Sequence, residues 1–221
     1  MDMEANVCEV RKRIELACQR SHRLPDEITL VAVTKGVEGS VIRTAFDSGI
    51  RNFGENRIQE AEGKITRLTD FKPAVTWHMV GHLQSNKARV ALELFDIIHS
   101  VDSVKLAGIL NRLSRKTLPV LLEVNVSGES TKAGFSPDEV TEAVKDIKRL
   151  PNLKLMGLMT VAPLVAEPEK VRPVFRKLRE LRDLSGLEHL SMGMTDDFEV
   201  AVEEGATMIR VGRAIFSDRR Q

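Results

Sequence analysis

From residue 28 to residue 211 the sequence alternates two hydrophobic periods: short β-branched apolar runs, and longer stretches with apolar residues at helical spacing. A short apolar run between turn signals reads as a strand buried on both faces, and a stretch of period 3.6 reads as a helix with one wet face. Parallel strands cannot be joined by hairpins, so strict alternation of the two patterns describes a parallel sheet wrapped by its crossover helices. The expected strands cover residues 28–34, 51–53, 75–80, 96–99, 119–126, 153–159, 188–191 and 207–211. Between them the spacing predicts helices over 40–48, 56–68, 85–94, 103–115, 136–150, 167–184 and 196–204, after an opening helix over 3–22. Eight strands in 221 residues suit one α/β domain spanning 1–221, a (β/α)8 TIM barrel with an extra N-terminal helix.

Barrels of this kind collect their chemistry at the C-terminal ends of the strands. The residues found there are the chemically distinctive ones: Lys35, Asn56, His78 to His82, Asn125, Ser127, Thr160, Ser191 to Thr195, and Gly212 with Arg213. Lys35 ends the first apolar run, just before Gly36. An ammonium at the mouth of a buried strand is expected to lose hydration and pKa, which frees an amine able to form Schiff bases. The competing expectation is a lysine that caps the strand and points into water.

Ser191-Met192-Gly193-Met194-Thr195-Asp196 leads into a helix, and Gly212 follows the last strand. Small residues at such turns let backbone N–H groups approach an anion, as a phosphate site requires. A phosphate cradle facing a Schiff-base lysine suggests pyridoxal phosphate, which carries both an aldehyde and a phosphate.

Other classes are disfavoured. With 33 basic and 32 acidic residues interleaved, no basic stripe for nucleic acid is present. The charged stretch 1–20 is neither a signal peptide nor a membrane span, so a cytoplasmic protein is expected. Cys8 and Cys18 lie ten positions apart on one expected helix, too far to bridge, and lack the pairing of a zinc site. His78 and His82 have metal-ligand spacing only on a helix, and Gly81 between them argues for a strand-to-loop setting. Asp196 and Asp197 suit a helix's first turn without catalysis.

The chain resembles the YggS/PROSC family of pyridoxal-phosphate-binding homeostasis proteins. The resemblance rests on Val31-Ala32-Val33-Thr34-Lys35, Phe53-Gly54-Glu55-Asn56 with Gln59-Glu60, Trp77-His78 with Gly81, Leu83-Gln84-Ser85-Asn86-Lys87, and Ile98-His99-Ser100-Val101-Asp102. It continues through Lys132-Ala133-Gly134, Gly157-Leu158-Met159, Ser191-Met192-Gly193-Met194, and Arg210-Val211-Gly212 before Ile215-Phe216. It implies a fold type III barrel like the N-terminal domain of alanine racemase, with pyridoxal 5'-phosphate held as a Schiff base on Lys35. It further implies Arg210 at the pyridine nitrogen, Ser191, Gly193 and Gly212 around the phosphate, and Asn56 and His78 lining the pocket. Arg213, Ser217 and Thr195 depart from the family pattern, where a hydroxyl residue, a glycine and a serine are usual.

The function so implied is intracellular storage or delivery of the cofactor with little or no turnover, by a monomer, with apo pyridoxal-phosphate enzymes as recipients and neither membrane nor nucleic acid as partner. The alternative is a pyridoxal-phosphate-dependent amino-acid racemase or a related fold type III enzyme. The related racemase places a tyrosine opposite its lysine, and this chain contains no tyrosine. An arginine beside the ring nitrogen also disfavours ring protonation and weakens the electron sink that racemisation needs. A cofactor-free aldolase using Lys35 and a scaffold in which Lys35 is incidental remain as outside readings.

Overall fold

The computed structural model describes residues 2–71 and 74–217. Its eight strands are β1 (Thr29–Val33), β2 (Asn52–Glu55), β3 (Thr76–Met79), β4 (Ile97–Val101), β5 (Leu118–Glu123), β6 (Leu153–Met159), β7 (His189–Ser191) and β8 (Met208–Val211). They close in chain order into a barrel. Every neighbouring pair is parallel, and β1 meets β8 with Val31 opposite Arg210. The helices are α1 (Met3–Arg20), α2 (Gly39–Asp47), α3 (Ile58–Ile65), α4 (Ala88–Leu94), α5 (Val104–Leu113), α6 (Val140–Lys148), α7 (Arg172–Leu184), α8 (Phe198–Glu203) and α9 (Arg213–Phe216).

The expected elements form, with boundaries moved for local reasons. The opening helix stops at Arg20, where Ser21 donates its N–H back to Ala17 and Cys18 and His22 takes a left-handed φ of 56°. The fifth strand ends at Glu123, because Val124 already pairs with Phe135 of the following loop. Ser136 opens the next helix through a capping box, with Glu139 accepting from its backbone N–H at 2.8 Å. α1 packs against α8, α9 and α2, burying Val7, Val10, Ile14 and Ala17. It is pinned there by Asn6 Nδ2 donating to the Ile215 carbonyl at 3.0 Å and by an Arg13–Glu199 ion pair at 2.9 Å. Cys8 is exposed, Cys18 is buried, and both are free.

Side chains alternate along each strand, and the two faces have different chemistry. Outward positions such as Phe53, Trp77, Ile98, Leu158 and Ile209 join one continuous apolar layer between sheet and helices. Each fully buried large side chain of that layer contributes about 2 kcal/mol. Inside the barrel a separate, small apolar cluster is formed by Leu121, Met159 and Met208. The remaining inward positions include His78, His99, Ser191 and Arg210, all buried. Barrel interiors are ordinarily filled by branched apolar side chains, so this polar filling marks the end of the barrel where function is expected.

Candidate functional site

Lys35 lies in the turn after β1, and this turn is held from beneath. Thr34 is buried as the last residue of the barrel wall, and Gly36 follows Lys35 with φ of 69°, which turns the chain outward. The Lys35 side chain is therefore exposed, and the expected desolvation is not found. The strand ends at Val33, one residue earlier than its apolar pattern suggests, and Thr34 is the last buried residue before the turn.

Helix α3 clamps this turn on both sides. Lys64 Nζ donates to the Thr34 carbonyl at 2.5 Å and to Glu55 Oε1 at 2.7 Å. The Thr34 hydroxyl donates to the same Glu55 oxygen at 2.6 Å, and the Gly36 N–H donates to Glu60 Oε2 at 3.1 Å. Burial pushes the Glu55 carboxyl up, while the Lys64 and Thr34 bonds pull it down. Glu55, Glu60 and Lys64 escape a reading of the strand ends, although Glu60 and Lys64 carry the four-residue spacing of a helical ion pair.

β8 neighbours β1, so Gly212 leaves the sheet beside the Lys35 turn; a Cβ at Gly212 would stand 3.2 Å from the Val33 carbonyl oxygen. Gly193 adopts φ of 92°, and a Cβ there would meet Ala201 Cβ at 2.5 Å and Phe198 Cα at 2.9 Å. Only glycine allows the loop after β7 to press so closely onto α8. Asp197 fixes the same loop by accepting the Met194 N–H at 2.6 Å, and Thr195 Oγ1 accepts the Ala214 N–H at 3.4 Å. Arg213 turns outward and pairs with Asp196.

Ser191, at the end of β7, points its side chain into the barrel. Its hydroxyl is buried below this loop, 2.8 Å from both Arg210 Nη1 and His99 Nδ1. Arg210 also donates from Nη2 to the Thr160 carbonyl at 2.8 Å. Burial lowers the guanidinium to about 10, with Asp197 and Glu123 opposing, so it remains a cation at neutral pH. Two of its five N–H groups are used in these contacts.

His78 does not face the mouth. Its ring is buried between His99 Nε2, at 2.9 Å from its Nδ1, and Asn52 Oδ1, at 3.0 Å from its Nε2. Burial drives it down to about 4. Asn56 sits at the rim, in an open cleft with Glu60, His82 and Lys87. His82 pairs with Asp102 at 3.2 Å, apart from His78. Among the described residues no group of three or more His, Cys, Asp or Glu could hold a metal ion.

Residues 9–220 match the family model of the alanine racemase N-terminal domain. The chain is 42% identical over 228 residues to the pyridoxal phosphate homeostasis protein of Aquifex aeolicus, covering 97% of this chain and 99% of that one. It is 43% identical over 219 residues to the protein of that name in Pseudomonas aeruginosa, covering 97% and 94%. The chain belongs to the YggS/PROSC family of pyridoxal phosphate homeostasis proteins. Within that family, PipY of Synechococcus elongatus, solved with PLP bound, superposes with a TM-score of 0.82 at 39% identity, covering 94% of this chain and 100% of that one. Alanine racemase of Clostridium difficile shares the fold at 15% identity and a TM-score of 0.69, this chain covering 57% of its length.

Proposed function

We propose that this YggS/PROSC protein binds pyridoxal 5'-phosphate at the barrel mouth, carries it covalently on Lys35, and serves cofactor homeostasis by releasing it to other proteins, with little or no turnover of its own. The observation that carries this reading is the buried Arg210 cation, on the strand paired with the one that leads into Lys35. Membership of a family whose relatives are named for pyridoxal phosphate homeostasis, and the PLP bound by PipY, point the same way.

In this reading the chain's own residues divide the work. Lys35 supplies the amine, and the α3 clamp on Thr34 and Gly36 fixes the turn that presents it. Gly193 and Gly212, with the Thr195 hydroxyl and the backbone around it, form the phosphate cradle. Ser191 supports the cradle from below by holding Arg210. Asn56 borders the mouth, and His78 acts from the barrel interior. When bound, the cofactor supplies an aldehyde for exchange between amines and a ring that withdraws electrons once its nitrogen is protonated. Arg210 can only donate, so the acceptor it faces stays unprotonated and α-carbon chemistry stays weak. Lys35 is exposed, so an incoming amine would have access to the same position from solvent.

We take the protein as a cytoplasmic monomer whose recipients are apo pyridoxal-phosphate enzymes; no helix among the described residues is long and apolar enough to cross a membrane. The deciding experiment is the absorbance spectrum of wild type beside Lys35→Ala after loading, followed by borohydride treatment. A chromophore fixed onto the peptide containing Lys35 supports the reading; an identical spectrum in Lys35→Ala overturns it.

A further inference from the structure

Arg210 carries no lone pair for accepting and Asn52 Oδ1 carries no proton, and between these two groups runs an unbroken file of buried hydrogen bonds. Asn52 Oδ1 can only accept, so the neutral His78 ring holds its proton on Nε2 and donates it there at 3.0 Å. His78 Nδ1 is then bare and accepts from His99 Nε2 at 2.9 Å. His99 Nδ1 is bare in turn and accepts the Ser191 proton at 2.8 Å, while Ser191 Oγ accepts from Arg210 Nη1, also at 2.8 Å. The Asn52 end thus decides both tautomers of the neutral rings, and every donor in the file finds an acceptor. A second proton on His78 would either bring two N–H groups face to face or force His99 into the other tautomer.

We propose that Asn52, His78, His99 and Ser191 form a one-directional relay that positions Arg210, with His99 its central positioning residue. The relay keeps a lone pair on Ser191 pointed at one arm of the guanidinium while the Thr160 carbonyl holds the other, and so aims the remaining donors at the mouth. It rests on the reading of Arg210 as a cofactor contact.

Four strands supply one inward residue each to the file: β2, β3, β4 and β7. An apolar filling would avoid the desolvation of these groups, which is tolerable only because each is satisfied. The charged and titratable groups whose fields act on His99 include His78, Arg210 and His189, and those acting on Arg210 include Asp197 and Glu123. None of the hydrogen bonds to the imidazole nitrogens of His78 or His99 comes from a carboxylate, so nothing in direct contact stabilises an imidazolium. At its lower end Asn52 borders a cavity at the N-terminal face of the barrel, beside Arg11, Glu15, Asp26 and Arg51.

Two measurements test the relay. In the cofactor-free protein, nitrogen-15 NMR of the histidine rings should show both His78 and His99 neutral with the proton on Nε2, unchanged from pH 7.5 to about 5.5. A proton on Nδ1 of either ring, or an imidazolium at pH 6, overturns the proposal. In the loaded protein, His99→Phe should weaken pyridoxal phosphate binding about tenfold or more and change the pH dependence of its absorbance, while His99→Gln, which offers an acceptor and a donor on one amide, should return binding to within about threefold. Equal binding and spectra in His99→Phe, or equal damage in both variants, would show a packing role and defeat it. If the wild type takes up no pyridoxal phosphate, the functional reading fails on its own, and the NMR result still decides the direction of the file.

Discussion

Lys64 Nζ lies 2.5 Å from the carbonyl oxygen of Thr34, the residue immediately before Lys35. One lysine therefore holds the backbone that presents the other, and the same ammonium neutralises Glu55, whose side chain is wholly buried. Removing one partner of a buried ion pair leaves the other uncompensated, at a cost of about 3 to 5 kcal/mol. Lys64→Met should lower unfolding stability by about 3 kcal/mol in urea titrations followed by Trp77, the single tryptophan. Lys64→Met with Glu55→Gln should recover part of the loss, since an amide tolerates burial without a counter-charge.

The two interior histidines should make the fold acid-sensitive. Burial sets His78 near 4 in the folded protein against an ordinary 6.5, and His99 is depressed in the same direction. As pH falls below about 6.5 the unfolded chain takes up the proton first, so stability is lost between about pH 6.5 and 4, by roughly 3 kcal/mol for His78 alone. Burial raises Glu55, Glu123 and Asp197, which act with the opposite sign because the folded state then holds the extra proton. The comparison is therefore between wild type and His78→Gln: the variant should lose less stability between pH 7 and 5, and an equal loss would contradict the assignment.

Much of the barrel is legible in the sequence because each strand announces itself locally. Even β7, three residues long, is flanked by recognisable turns. The polar interior is not legible in this way. His78 and His99 are 21 positions apart and His99 and Ser191 are 92 apart, so their meeting depends on strand register around the ring. The exposure of Lys35 has a local reason that the sequence hides: the apolar run continues in character through Thr34, but the strand stops at Val33 and the chain turns at Gly36. The resemblance implies Ser191 around the phosphate; strand alternation turns its hydroxyl toward His99 and Arg210, contacts that no local pattern announces.

Gly193 offers a test of the proposed cradle. Alanine there meets a left-handed φ together with Cβ contacts of 2.5 Å and 2.9 Å to Ala201 and Phe198. Strain and overpacking together should cost about 2 to 4 kcal/mol. Gly193→Ala should melt at a lower temperature, and its affinity for pyridoxal phosphate should fall more than its affinity for pyridoxal, which lacks the anion. An equal fall for both would move the phosphate site elsewhere.

Arg210→Met should leave the Thr160 carbonyl without its donor and weaken pyridoxal phosphate binding about tenfold or more, read by absorbance titration. The same loss frees the ring nitrogen to take a proton, so any exchange of the α-hydrogen of added alanine, followed by proton NMR in heavy water, should rise above the wild-type rate. A wild type that already racemises alanine rapidly would contradict the carrier reading.

Closure of the ring between β1 and β8 brings together parts of the chain separated by almost its whole length, with Val31 beside Arg210. Loop-closure entropy makes such a seam slow to form, since distant segments must meet before they gain anything from meeting. The amine and the guanidinium proposed to share one ligand come from opposite edges of that seam. A folding intermediate with an open ring would thus hold each half without the other. Uptake of the coloured cofactor, timed during refolding, would signal that the last gap had shut.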